Sequence, residues 1–179
     1  MKAQFWSFDV IFAIIIFCLA LSLVTFVWLG ITNQFSLSYG MGTQTMQAQL
    51  QSMQNRITGA GVPANWNMAV NVINTTTWNN ISVGLGTGTG SQLSPSKIMT
   101  LMAMSNYNST TYQATKSLLG IGYDYYILIN STNYTITLGL APYSLNPYSI
   151  MVAKQSAFLN GVPVTMQLLL WTNKTFGVG

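Results

Sequence analysis

Histidine is absent from this chain of 179 residues, the acids number two, and there is a single cysteine. Each absence removes a class of chemistry. A nucleophile triad needs a base, an acid–base pair needs two neighbouring carboxylates, and a structural zinc site needs four ligands. Asp9, Asp124 and Cys18 cannot assemble any of these within one chain. The expectation is therefore a protein without enzyme activity, catalytic residues or a metal. Cys18 has no intrachain partner for a disulfide and lies in an apolar run, which makes it a small buried apolar residue in this reading. Charge is equally scarce, at 4% of residues against about 25% in ordinary soluble proteins. Lys2, Arg56, Lys97, Lys116, Lys154 and Lys174 stand singly, so no basic patch offers itself to nucleic acid.

What is present is apolar and neutral polar. Hydrophobic residues make up 50% and aromatic residues 12% of the chain, which is core material and the opposite of a disordered composition. Asn, Thr, Ser, Gln and Tyr fill the polar positions. The length allows one hydrophobic segment and one domain.

The segment is VIFAIIIFCLALSLVTFVWLGI, Val10 to Ile31, with no charged residue. At about 1.5 Å per residue it can cross a hydrocarbon core about 30 Å thick. A cleaved secretory signal has a shorter apolar core closed by a small-x-small site, whereas here LVTFVWLGI continues past Ala20 and Ser22. A plain anchor fits, with Lys2 inside and Trp28 near the far interface.

The flank KAQFWSFD adds Lys2, Ala3 and Gln4 ahead of the run and one acid, Asp9, at its start. A carboxylate at a membrane edge needs a partner or water. This arrangement resembles the N-terminus of archaeal type IV pilins and archaellins with class III signal peptides. The resemblance implies cleavage by a prepilin peptidase between Ala3 and Gln4. It also implies an alignment role for Asp9, the sixth residue from Gln4, opposite a neighbour's new α-amino group. Phe5, Ile11, Ile14, Ile15 and Phe17 would then pack against neighbouring stems.

Beyond the run no proline occurs before Pro63, and Met46, Leu50, Met53 and Ile57 recur at helical spacing on one face. Gln44, Gln47, Gln49, Gln51 and Gln54 fill most of the opposite face. The helix is expected to continue and to pack under its own domain, with loosening near Gly30, Gly40 and Gly42. Gly59, Gly61 and Pro63 stop it.

In the remainder, strands are predicted at Met68–Ile73 and Ile81–Leu85, followed by the loop GTGTGSQ. A helix opens at Ser94-Pro95, with the serine side chain as a possible cap. A second runs from about Thr110 to Leu119 and ends at Gly120. YDYYILIN and the alternation Tyr134, Ile136, Leu138, Leu140 predict a pair of strands. Asn160-Gly161 predicts a tight final hairpin. The fold class is α+β: a long N-terminal hydrophobic helix followed by a small antiparallel β-rich globular domain with two short helices. A pure β-sandwich is the alternative. The organisation is a leader at 1–4, a stem at 5–58 and an extracellular head at 59–179.

Six Asn-x-Ser/Thr triplets begin at Asn74, Asn80, Asn108, Asn130, Asn133 and Asn173. All lie in the expected head, although Asn33 and Asn55 were available in the stem, and they are candidates for N-linked glycans, the only expected attachments. Asp124 is expected to accept from a tyrosine or to pair with a lysine, and Tyr123, Tyr125 and Tyr126 to pack.

From stem to last hairpin, through GVPANW, ISVGLG, LSPSK and LLLW, the chain resembles archaeal pilin-like surface proteins. The resemblance implies a structural, adhesive subunit that partners with itself in a helical homopolymer. The membrane, the prepilin peptidase and the pilus assembly machinery would be its partners before assembly, and its location would be the cell surface. A membrane-anchored adhesin or minor pilin that does not polymerise extensively is the alternative.

Overall fold

The computed structural model describes residues 3–88, 91–106 and 108–174, with the side chains of residues 3–7, 30–41 and 144 left aside. The chain divides into two compact units, Met1–Gly42 and Thr43–Gly179. One helix, α1 (Ala3–Ile57), passes from the first into the second. It is helical through Gly30, Gly40 and Gly42, so the expected loosening does not occur. A glycine costs about 1 kcal/mol in a helix, too little by itself to break so long a run.

In the second unit α1 turns amphipathic. Met46, Leu50, Met53 and Ile57 are all buried in the core, while Gln44, Gln47 and Gln51 are exposed. Burying side chains of this size contributes about 1.5–3 kcal/mol each, so this stripe fastens the helix end to the domain. After Ile57 the chain folds back on itself closely. Leu85 N–H donates to the Ile57 carbonyl at 2.7 Å and Gly86 N–H to Gly59 at 2.8 Å. A Cβ on Gly84 would collide with the Gly59 carbonyl and one on Gly86 with that of Thr58, so both positions require glycine. Lys97 completes this corner: its ammonium, buried, donates to the carbonyls of Ala60 at 2.7 Å and Gly86 at 2.8 Å.

The predicted strands at Met68–Ile73 and Ile81–Leu85 are not formed. The first region holds the single-turn helix α2 (Trp66–Ala69) and then a 3-10 turn, Thr75–Trp78. Side chains take over the bonding there: Asn71 Oδ1 accepts from the Ile73 N–H, Asn74 Oδ1 from the Thr76 N–H, and Trp78 Nε1 donates to the Asn71 carbonyl. Such local bonding competes with a ladder. The second region keeps one antiparallel bridge, Val62 with Ser82, while Leu85 N–H goes to the helix exit at Ile57, the Leu85 carbonyl takes the Ser94 N–H and the Gly84 carbonyl takes the Trp66 indole. Of the loop GTGTGSQ, Thr89 and Gly90 lie outside the described residues; its base is closed by a bridge between Gly86 and Leu93.

Helices α3 (Pro95–Asn106) and α4 (Ser109–Leu119) stand where expected. The Ser94 hydroxyl lies 3.0 Å from that of Ser96, while its carbonyl takes the Ile98 N–H. Asn108 and Thr111 form a capping box at the start of α4, and Gly120, at φ 69°, closes its end in the left-handed conformation.

The sheet has five strands: β1 (Gln92–Leu93), β2 (Asp124–Asn130), β3 (Thr135–Gly139), β4 (Ser149–Leu159) and β5 (Val162–Thr172), in the order β1-β4-β5-β2-β3. It is α+β as expected, but mixed rather than antiparallel, since β1 runs parallel to β4. The two-residue strand reaches that edge from the glycine loop, with the Ser91 carbonyl accepting from Phe158 N–H at 2.9 Å. The β4–β5 hairpin turns at Asn160-Gly161, φ 53° and 78°, a pair suited to a type I′ turn. One sheet face, with Tyr125, Ile127, Ile129, Leu138, Met166, Leu168 and Leu170, is buried in the core. The other is buried at one end only, where Trp171 Nε1 donates to the Leu140 carbonyl and the rings of Tyr126 and Tyr143 meet edge to face, with centroids 6.0 Å apart. Its opposite end is polar: Thr135, Asn130, Thr165 and Ser156 lie side by side across four strands.

If the α1 stripe fastens the helix, Met53→Ala is expected to lower the stability of the detergent-solubilised chain by about 2–5 kcal/mol. Gln51→Ala, on the exposed face, is expected to change it by less than about 0.5 kcal/mol. Chemical unfolding of both variants measures the difference.

Candidate functional site: the apolar helix and the charge-poor head

Phe8–Leu29 of α1 is long and apolar enough to cross a membrane by length and composition. Every side chain from Phe8 to Leu29 is exposed in the single chain. Among them are four of the residues expected to mediate assembly: Ile11, Ile14 and Ile15 share one face of the helix, with Phe17 beside it, and all four are exposed. The hydroxyls inside the run are satisfied locally: Ser22 donates to the Cys18 carbonyl and Thr25 to that of Leu21, each at 2.8 Å. The segment therefore presents almost pure hydrocarbon outward. Asp9 is exposed at its start. Cys18 is exposed in the single chain, so the burial expected of it depends on what surrounds the helix. Lys2 lies outside the described residues. Ala3, Gln4 and Phe5 belong to the first turns of α1.

Transfer of one such aliphatic or aromatic side chain from water to an apolar surrounding is worth about 1.5–3 kcal/mol. Summed along the run this exceeds the roughly 5–15 kcal/mol by which a whole domain is typically held folded. Such a helix is compatible with a membrane span or with a signal sequence.

In the head, Asp124 does both things expected of it. It accepts from Lys116 Nζ at 2.9 Å and from the Tyr112 hydroxyl at 3.2 Å. The Tyr112 hydroxyl in turn accepts from Tyr125 N–H at 3.1 Å, and the two rings stack with centroids 5.2 Å apart. The hydroxyls of Tyr125 and Ser105 lie 2.6 Å apart in the core. The arrangement is a closed network that fixes α4 against β2; Asp124 has no spare acid–base partner among the described residues. Beside it opens a cleft of about 530 Å3 lined by Asn106, Asn108, Gln113 and Leu140 among others. No group of three or more metal-ligating side chains occurs among the described residues.

The six sequon asparagines are all exposed. Asn74 and Asn108 cap helices through Oδ1, and Asn130 Oδ1 accepts from the Thr135 hydroxyl at 2.9 Å. Each of these bonds leaves Nδ2, the nitrogen that carries a glycan, unused. Asn80 sits at φ 66° before the bridged Ser82, and Asn133 lies in the β2–β3 turn. The third residue of the Asn173 triplet, Thr175, lies outside the described residues. The recess beside the β2–β3 turn was not foreseen from the sequence, because its walls come from three separate segments. Comparison with protein-family models, with curated proteins and with solved structures finds no match to this chain.

Burial is the main cause that raises the pKa of both Tyr112 and Tyr125 well above the ordinary phenol value of 10.0. The unfolded chain releases these protons near pH 10 while the folded chain keeps them, so stability is undiminished below that pH and falls as pH rises above it. Lys97, whose burial lowers its pKa below 10.5, acts with the opposite sign, but as one group against two large shifts. Unfolding midpoints are expected to drop as pH rises above about 10, and Tyr125→Phe is expected to flatten that drop.

Proposed function

We propose that this chain is a structural subunit of an archaeal type IV pilus-like filament, assembled through its N-terminal helices and used in adhesion or surface contact. The observation that carries the reading is a helix with hydrocarbon on every side from Phe8 to Leu29, preceded by Lys2-Ala3-Gln4 and headed by Asp9. In this account the helix is stored in the cytoplasmic membrane, a prepilin peptidase cuts before Gln4, and the assembly machinery moves the stem into a fibre core. Asp9 then neutralises a neighbour's α-amino group, where the low polarity makes one ion pair count. Ile11, Ile14, Ile15 and Phe17, with Phe5, supply the contact area between stems. The charge-poor head faces outward and carries N-linked glycans on some of Asn74, Asn80, Asn108, Asn130, Asn133 and Asn173. No catalysis is part of this role.

A second reading is a permanent membrane anchor displaying the head as an adhesin. It draws on the length of the span, 22 residues, which suits a bilayer without any neighbour.

Two measurements separate them. Electron microscopy of surface fibres that bind antibody to the head is expected to find this chain along their length, with a native N-terminus at Gln4 by mass spectrometry. Labelled protein confined to the membrane fraction favours the anchor. Within the filament reading, Asp9→Ala is expected to reduce fibre yield by an order of magnitude or more while the head remains folded, consistent with loss of a charge pair worth about 1.4 kcal/mol or more. Normal yield in that variant removes Asp9 from the mechanism.

A further inference from the structure

A recess of about 490 Å3 opens beside the β2–β3 turn, between that turn and the tip of the β4–β5 hairpin. Asn130, Thr165 and Ser156 line it from three adjacent strands in one cross-strand row. Ser131 and Thr132 extend the polar wall along the turn. Phe158, 48% exposed, and its cross-strand partner Pro163 supply an apolar wall.

No charged side chain lines this recess, so an ionic ligand would find no counter-charge. A purely apolar ligand would strand the hydroxyls. Neutral groups that both donate and accept, set beside an apolar surface, complement a sugar, whose hydroxyls alternate with C–H faces.

The nearest source of sugar is the recess's own rim. Asn130-Ser131-Thr132 is a glycan acceptor triplet. The bond from Thr135 to Asn130 Oδ1 holds that amide in place while Nδ2 stays unengaged. We propose that a glycan on Asn130 folds back onto the protein and beds its first sugars in this recess, between the Asn130–Thr165–Ser156 row and Phe158. This rests on the reading that Asn130 is glycosylated. The carbohydrate then forms part of the sheet's packed surface and covers an end of the sheet that would otherwise be wet.

The test uses full-length protein from its native cell. Mass spectrometry of the peptide spanning Asn130-Ser131-Thr132 first establishes the glycan. Mild periodate oxidation of its vicinal diols is then timed in the folded protein and in the glycopeptide released by digestion. Bedded sugars are expected to oxidise severalfold more slowly in the folded protein, and Phe158→Ser with Thr165→Ala, which leave the triplet intact, are expected to abolish that protection. A glycan present but oxidised equally fast in both forms overturns the docking and leaves glycosylation standing. Protection that survives the double substitution also overturns it. A bare Asn130 overturns both.

Discussion

One continuous helix in this chain has to satisfy two surroundings, and the other elements follow from that demand. Over Phe8–Leu29 it is apolar on every side, and even its serine and threonine hydroxyls are turned back onto the helix's own carbonyls. Over its last turns it is apolar on one stripe only. The first pattern can be satisfied by lipid or by like helices, the second only by a folded domain. The domain accordingly spends much of its irregular chain securing the helix end. Gly84 and Gly86 press backbone to backbone against residues 58–61, and Lys97 ties the two carbonyls that face it.

A domain this poor in charge builds its connections from neutral groups. Three indoles each hold one carbonyl: Trp66 that of Gly84, Trp78 that of Asn71, Trp171 that of Leu140. Asparagines set the turns, at Asn71, Asn74 and Asn108, and hydroxyls bond down the helices. A single ion pair, Lys116 with Asp124, is recorded among the described residues, and it belongs to a network with Tyr112 rather than standing alone on the surface. Hydrogen bonds of this kind are individually worth about 1 kcal/mol, and their value here lies in leaving few buried polar atoms unmatched.

What could be read in the sequence was whatever has a local cause. The period of Met46, Leu50, Met53 and Ile57, the Ser94-Pro95 start, the Gly120 stop and the Asn160-Gly161 turn each specify structure within a few residues, and each is where it was expected. The failures have non-local causes. Residues 81–85 look like a strand, but their backbone groups go to scattered partners, Ser82 to Val62, Leu85 N–H to the Ile57 carbonyl at the helix end and the Gly84 carbonyl to the Trp66 indole, contacts no window reveals. Strand β1 is two residues long and parallel because of where a glycine loop lands on β4, which no alternation pattern encodes. For the candidate sites, the apolar run and the triplets were legible as composition and motif. The recess beside Asn130 was not, since it exists only once three strands are in register.

The scarcity of basic side chains has a further consequence once their positions are known. Lys97 is buried under two carbonyls and Lys116 is held by Asp124, while Arg56 and Lys154 lie within a helix and a strand. Proteases that cut after lysine or arginine need an extended, mobile segment around such a residue. Among the described residues only Lys174, exposed just past the end of β5, stands outside such an element or contact, so the glycine-rich and asparagine-rich loops before it offer that class of protease little handle.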